Sequence, residues 1–178
     1  NIRNSELKST SVKDFIKTLK EIKADQKGYM LDNIEVSAYA SPDGGMKLNT
    51  ALAQNREKTS KGYVGKQLKA AKLDADVDSK YTAEDWEGFK ELVGQSNIQD
   101  KDVILRVLSM YQDPEEREQQ IRNLSAGFKE LADEILPELR RARLTIHYNL
   151  IGRSDDEIQE QYKADASKLS VEELLYAA

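Results

Sequence analysis

The side chains able to hold a ligand gather in the stretch SAYASPDGGMKLNTALAQNRE, residues 37–57. It starts as an alternating strand, breaks at Pro42-Asp43-Gly44-Gly45, and resumes as a helix carrying Asn49 and Arg56. A strand, a glycine turn and a helix form a natural binding place, because turn N–H groups and the positive helix start attract anions. Asp43 brings a carboxylate, Arg56 a guanidinium and Asn49 an amide. Each also has a structural reading. Pro-Asp-Gly is turn chemistry with no ligand implied. Asn near a helix start commonly bonds local backbone. An arginine here can brace the turn by donating to its carbonyls. Gly44 and Gly45 serve backbone geometry.

The remaining chemistry-bearing residues carry less. Asp74, Asp76 and Asp78 are spaced like the opening of a calcium loop, with Asp85 at its twelfth position. Ser79 replaces the glycine such a loop needs, and the segment overlaps an expected strand, so no metal is expected. His147 falls on the wet face of a strand with no ligand partners in view. The pairs Glu115/Glu116 and Asp155/Asp156 fall in first turns of helices, where the positive helix end explains them. No Ser-His-Asp arrangement, phosphate loop or metal cluster appears. A non-enzymatic protein without a cofactor is the expectation.

The elements that must position these residues follow from apolar spacing. Val12, Phe15, Ile16, Leu19 and Ile22 predict a helix over residues 11–23, capped by Ser11. Residues 1–7 read as the remnant of a first strand or a loop. Ile34, Val36, Ala38 and Ala40 alternate with Glu35, Ser37 and Tyr39, predicting a half-buried strand. Residues 46–72 predict a helix with Leu48, Leu52, Thr59, Tyr63 and Leu68 near one stripe; a short strand is expected over 76–81. Helices follow near 84–93, 100–111 and 114–135, the last opened by Asp113-Pro114. Residues 143–151 predict a strand with Leu144, Ile146, Tyr148 and Leu150 facing the core. Ser154 caps a polar helix to about Tyr162, and Ser170 with Glu173 fits a capping box.

The expected fold is therefore α/β, a two-layer sandwich in the order β-α-β-α-β, a helical insertion at about residues 83–137, then β. Residues 1–152 would form this domain. Residues 153–178 would hold a polar helix and the start of a C-terminal helical region, and both ends of the chain read as cut.

The totals bound the partners. The 178 residues suffice for one domain with a full core. A net charge of −5 argues against a nucleic-acid surface, while leaving room for a local basic pocket. Mean hydropathy is −0.70, and no apolar run approaches the ~18 residues of a membrane span. The absence of cysteine excludes disulfides and thiolate sites. Trp86, Phe89, Leu92 and Val93 share one helical stripe, which either packs the insertion onto the domain or meets a partner.

From Ala38 to Glu57 the chain resembles the signature of the OmpA-like C-terminal domain, the peptidoglycan-associating module of Gram-negative envelopes. That signature runs Thr-Asp-x-x-Gly and, further on, Asn-x-x-Leu-Ser-x-x-Arg. Ala40 and Ser41 stand at Thr-Asp, Gly44 at the glycine, Asn49 at the asparagine, Leu52 at the leucine, Ala53 at the serine and Arg56 at the arginine. Residues 139–150, LRRARLTIHYNL, look like the family's arginine-led last strand. The resemblance covers about residues 1–82 and 138–152.

The resemblance implies a clasp for the diaminopimelate of a peptidoglycan stem peptide. One acidic and one basic group on a rigid turn and helix satisfy its ammonium and carboxylate. The implied binding residues are Ser41, Asp43, Gly44, Asn49, Arg56 and Arg141. Ser41 stands where the family has aspartate, so Asp43 is expected to supply the acid. Arg140 and Arg143 are register alternatives to Arg141. The implied function is anchoring an outer-membrane or periplasmic protein to peptidoglycan. The alternative is a scaffold that has lost the ligand and binds an envelope protein through the insertion.

Overall fold

The computed structural model describes residues 2–177, with the side chains of residues 125–127 left aside. In chain order the elements are α1 (Asn4–Leu7), α2 (Thr10–Ala24), β1 (Tyr29–Tyr39), α3 (Met46–Ala71) and β2 (Asp76–Thr82). Then come α4 (Trp86–Gln95), α5 (Lys101–Met110), α6 (Pro114–Asn123), α7 (Ser125–Glu130) and a π-helical turn (Leu131–Ile135). β3 (Ala142–Leu150), α8 (Asp155–Asp165), a 3-10 turn (Ala166–Lys168) and α9 (Val171–Ala177) complete the chain.

The three strands form one sheet of order β2-β1-β3. The Tyr39 N–H donates to the Arg141 carbonyl and the Ile151 N–H to the Gly28 carbonyl, so β1 and β3 are antiparallel. β1 and β2 are parallel, joined by the α3 crossover, and end side by side where the Ala40 N–H donates to the Thr82 carbonyl. The fold is thus α/β with a mixed sheet. The expected first strand is not formed, since residues 4–7 make a helical turn. Only Ile2 and Leu7 are apolar in that segment, too few to make a strand face worth burying.

The chain divides into two compact units. The first holds residues 1–35, 63–78 and 145–178. Here Ser9, not Ser11, caps α2, accepting the Val12 N–H. Ser9 has the extended backbone an N-cap requires, whereas Ser11 already lies within the helix. Phe15, Leu19, Ile22, Ile34, Val64 and Leu68 are buried. Tyr148 and Leu150, expected inward, are exposed, Leu150 by 75%. Alternation tells which residues share a face, but not how far along a strand that face is covered. Ser154 and Glu157 form a full capping box on α8. Ser170 and Glu173 exchange the same two bonds at the start of α9.

The second unit holds residues 36–62 and 79–144. Val36, Ala38 and Ala40 are buried, as are Asn49, Ala53 and Ser60 of α3. The expected α3 stripe is corrected here, because Leu48 and Leu52 are exposed. The helix buries Asn49, Ala53 and Ser60 in this part and Val64 and Leu68 further on, so Leu68 of the expected stripe is buried as expected. α4 to α7 surround a core that includes Phe89, Val93, Ile104, Leu108, Ile121 and Leu139, with Trp86 and Leu92 packed against it. The α4 stripe therefore builds the insertion's own core. The single helix expected over 114–135 is interrupted at Leu124 and again by the π-helical turn.

Candidate functional site: the turn between β1 and α3

All residues of this cluster belong to the second unit. β1 ends at Tyr39, and the chain turns through Ser41, Pro42 and Asp43 to Gly44, whose φ of +96° favours glycine. α3 then begins at Met46. Asn49 is buried, and its Nδ2 donates to the carbonyls of Asp43 (3.3 Å) and Gly44 (3.2 Å). Both bonds of its Nδ2 thus go to clamping the turn. Further along α3, Arg56 Nη1 donates to the Tyr39 carbonyl and ties the helix to the end of the strand.

Arg140 completes the cluster. Its Nε donates to Ser41 Oγ at 3.1 Å, and its Nη2 to Asp43 Oδ2 at 3.2 Å. One guanidinium thus joins the serine at the family's aspartate position to the aspartate two residues on. Burial, and then the Arg140 charge, push the Arg56 pKa below its ordinary value. Asp43 Oδ1 is buried and has no hydrogen-bond partner. Of the two neighbouring guanidiniums, Arg140 pairs with the Asp43 carboxylate and Arg56 with a backbone carbonyl.

Arg141 goes elsewhere, and its expected place in the pocket is corrected to Arg140. Arg141 Nη2 lies 3.0 Å from Asp85 Oδ2, its Nη1 donates to the Glu138 carbonyl at 3.2 Å, and its guanidinium sits 5.0 Å from the Tyr39 ring centroid. Successive side chains leading into a strand point to opposite sides, so adjacent arginines part company. Asp85 also caps α4, its Oδ1 accepting the Gly88 N–H at 3.0 Å. A Cβ at Gly88 would run into that carboxylate and lie 2.8 Å from Arg141 Nη2.

The insertion reaches the turn through Glu118 of α6. Its Oε1 accepts the Gly44 N–H at 2.9 Å and is gripped by Arg122, with Nε at 3.0 Å and Nη2 at 2.6 Å. An open groove of about 500 Å³ runs past this point, lined by Gly44, Gly45, Met46, Glu84, Glu118 and Arg122 among others. A second, of about 600 Å³, is lined by Tyr39, Asp85, Lys90, Arg141 and Arg143 with their neighbours.

The structure thus brings Ser41, Asp43, Gly44, Asn49 and Arg56 together and replaces Arg141 by Arg140. Glu118 and the Asp85–Arg141 pair were missed as parts of this region. The Asp-x-x-Gly spacing at the start of α4 was a visible signal for Asp85; nothing local could have announced Glu118. His147 is exposed, and Asp78 accepts from Asn33 Nδ2 at 2.6 Å within the first unit. Among the described residues no group of three or more acids or histidines could hold a metal ion, and no helix is long and apolar enough to cross a membrane. No family model, curated protein or solved structure matches the chain.

Proposed function

We propose that this is a non-catalytic, OmpA-like two-layer domain on the periplasmic face of the cell envelope. It binds the diaminopimelate end of a peptidoglycan stem peptide and anchors an outer-membrane or periplasmic protein. The observation that carries the reading is Arg140 joined to both Ser41 and Asp43 beside Arg56. Two neighbouring cations, of which Arg140 pairs with a carboxylate and Arg56 with a backbone carbonyl, favour the arrival of a ligand carboxylate. Asp43 offers the matching acceptor for a ligand ammonium. The β1-α3-β2 crossover and the antiparallel β3 match the later part of the expected strand order, whose first strand is not formed.

Calorimetric titration with a diaminopimelate stem peptide tests the reading. Saturable binding is expected, weakened about tenfold or more in Arg140→Ala and in Arg56→Ala, as loss of a charge-assisted bond predicts. Unchanged affinity in both variants would sink it.

A second reading is favoured by one observation: Glu118 already occupies the Gly44 N–H. Under it the domain is an assembly module that captures an envelope protein through the insertion. The wild-type chain would then show no heat at millimolar stem peptide.

A further inference from the structure

We infer that Glu118 is an internal competitor for the ligand carboxylate, so that the helical insertion sets the affinity of the turn for its anionic ligand. This rests on the stem-peptide reading above and adds to it a residue that nothing in the resemblance supplies.

The backbone N–H of Gly44 points from the turn just ahead of α3, a helix of 26 residues with no acidic side chain in its first turn. The positive end of such a helix favours a negative group nearby. The chain supplies one itself, but from 74 residues away. Glu118 Oε1 lies 2.9 Å from the Gly44 nitrogen, the distance of a good charge-assisted bond. A carboxylate is therefore the chemistry this donor accepts, and the Glu118 side chain stands where a ligand oxygen would stand.

Glu118 does not reach the turn as a free side chain. Arg122, one helical turn on, holds the same Oε1 through two nitrogens. The pairing fixes the rotamer and reduces the entropy lost in holding Glu118 at the turn. An incoming carboxylate must displace Glu118 from Gly44. It need not break the Arg122 pair, which can swing away intact into the open groove beside it. The competition is between two like groups for one N–H, so its strength scales with ligand concentration and with the charge of the ligand end.

The test removes Glu118 and Arg122 together, which leaves the net charge unchanged and vacates the N–H. The intact chain, Glu118→Ala/Arg122→Ala and Arg140→Ala are titrated with a diaminopimelate tripeptide carrying its free carboxylate, and with the amidated peptide. Circular dichroism confirms that each variant is folded. The double variant is expected to bind the free-carboxylate peptide about tenfold more tightly than the parent, with no gain for the amide. Binding by the double variant where the parent is silent also supports the inference. An affinity within about twofold of the parent, or an equal gain for both peptides, overturns it. In that case, parental binding lost in Arg140→Ala leaves the stem-peptide reading standing. Silence from every protein overturns both. Should the double variant fail to fold, Glu118→Gln replaces it. That variant keeps an acceptor but loses the charge, so a gain of about threefold is expected and no gain overturns the inference.

Discussion

Two regions of the molecule use the same local device to different ends. In the first unit, Asp25 Oδ1 accepts the Gly28 N–H at 3.0 Å while Oδ2 pairs with Arg153. In the second, Asp85 Oδ1 accepts the Gly88 N–H at 3.0 Å while Oδ2 lies against Arg141. Both are Asp-x-x-Gly, and in both the glycine leaves room for the arginine. A Cβ at Gly28 would lie 2.5 Å from Asp25 Oδ2 and 2.7 Å from Arg153 Nη2. The arginines differ. The Arg153 side chain is only 5% exposed and holds a second carboxylate, Glu173, at 3.0 and 3.2 Å. Arg141 is 28% exposed, with one carboxylate and an aromatic ring. Its neighbour Arg140 pairs with Asp43 and repels the nearby Arg56. A cation saturated by internal partners is scaffolding. At the turn before α3, Arg56 bonds a backbone carbonyl and no carboxylate holds it as two hold Arg153, and the proposed ligand site rests on that difference.

The largest effect separating the two regions is expected from Arg153→Ala. It strands two acids in a mostly buried setting and should cost about 3 kcal/mol or more of unfolding free energy, read from urea titrations. Arg141→Ala should cost clearly less; equal losses would erase the distinction.

Glycine replacement comes next. Gly28→Ala and Gly88→Ala each force an ion pair apart, with a loss of about 1–3 kcal/mol expected. The loss should be greater at Gly28, where the pair has less room to move into solvent.

The pH dependence sharpens the contrast further. Burial raises the Glu173 pKa, but the Ser170 N–H and the Arg153 bond and charge outweigh it and hold the pKa below the ordinary glutamate value. A depressed carboxylate pKa means the stabilisation is present above the unfolded value and is lost as pH falls through the lower folded one. The urea midpoint should therefore drop below about pH 4.5, and less steeply in Glu173→Gln. Identical profiles would show that Arg153 does not need this partner.

The smallest effect is expected from Arg141→Lys, which keeps the charge and loses planar stacking on Tyr39. About 0.5–1 kcal/mol or less is anticipated. A larger loss would place Arg141 with the saturated arginines.

The three strands that form, α2 and α3 were legible because alternation and 3.6-residue spacing are local properties of the chain. The π-helical turn was not, since its distinguishing bond depends on packing around Leu131 and Leu136. The buried stripe of α3 was misplaced by one position except at Leu68, which is buried as expected. Asn49, Ala53 and Ser60 lie inside because they are small or satisfied, and neither quality is visible to a count of apolar side chains. In the candidate site, the turn, Asn49 and Arg56 could be read from the motif. Choosing between Arg140 and Arg141 required the strand's phase, and Glu118 required a contact spanning 74 residues. Local order was written in the sequence, and long-range closure was not.

The π-helical turn has a bearing on those two arginines. The Leu136 N–H donates to the Leu131 carbonyl, five residues back, at 2.9 Å. Such a turn holds one residue more than an α turn, so it shifts the angular phase of the residues after it by roughly 100°. Arg140 and Arg141 come within a few residues of it. Which guanidinium meets Ser41 and Asp43 is thus a matter of counting as well as composition. Shortening residues 131–135 by a single amino acid would remove that extra residue, and the turn residues 136–140 would have to absorb the change before β3, whose register the Tyr39–Arg141 backbone bond holds. A one-codon change in length at the π-helical turn is thus a strain placed on the entry to β3 rather than on the turn motif itself.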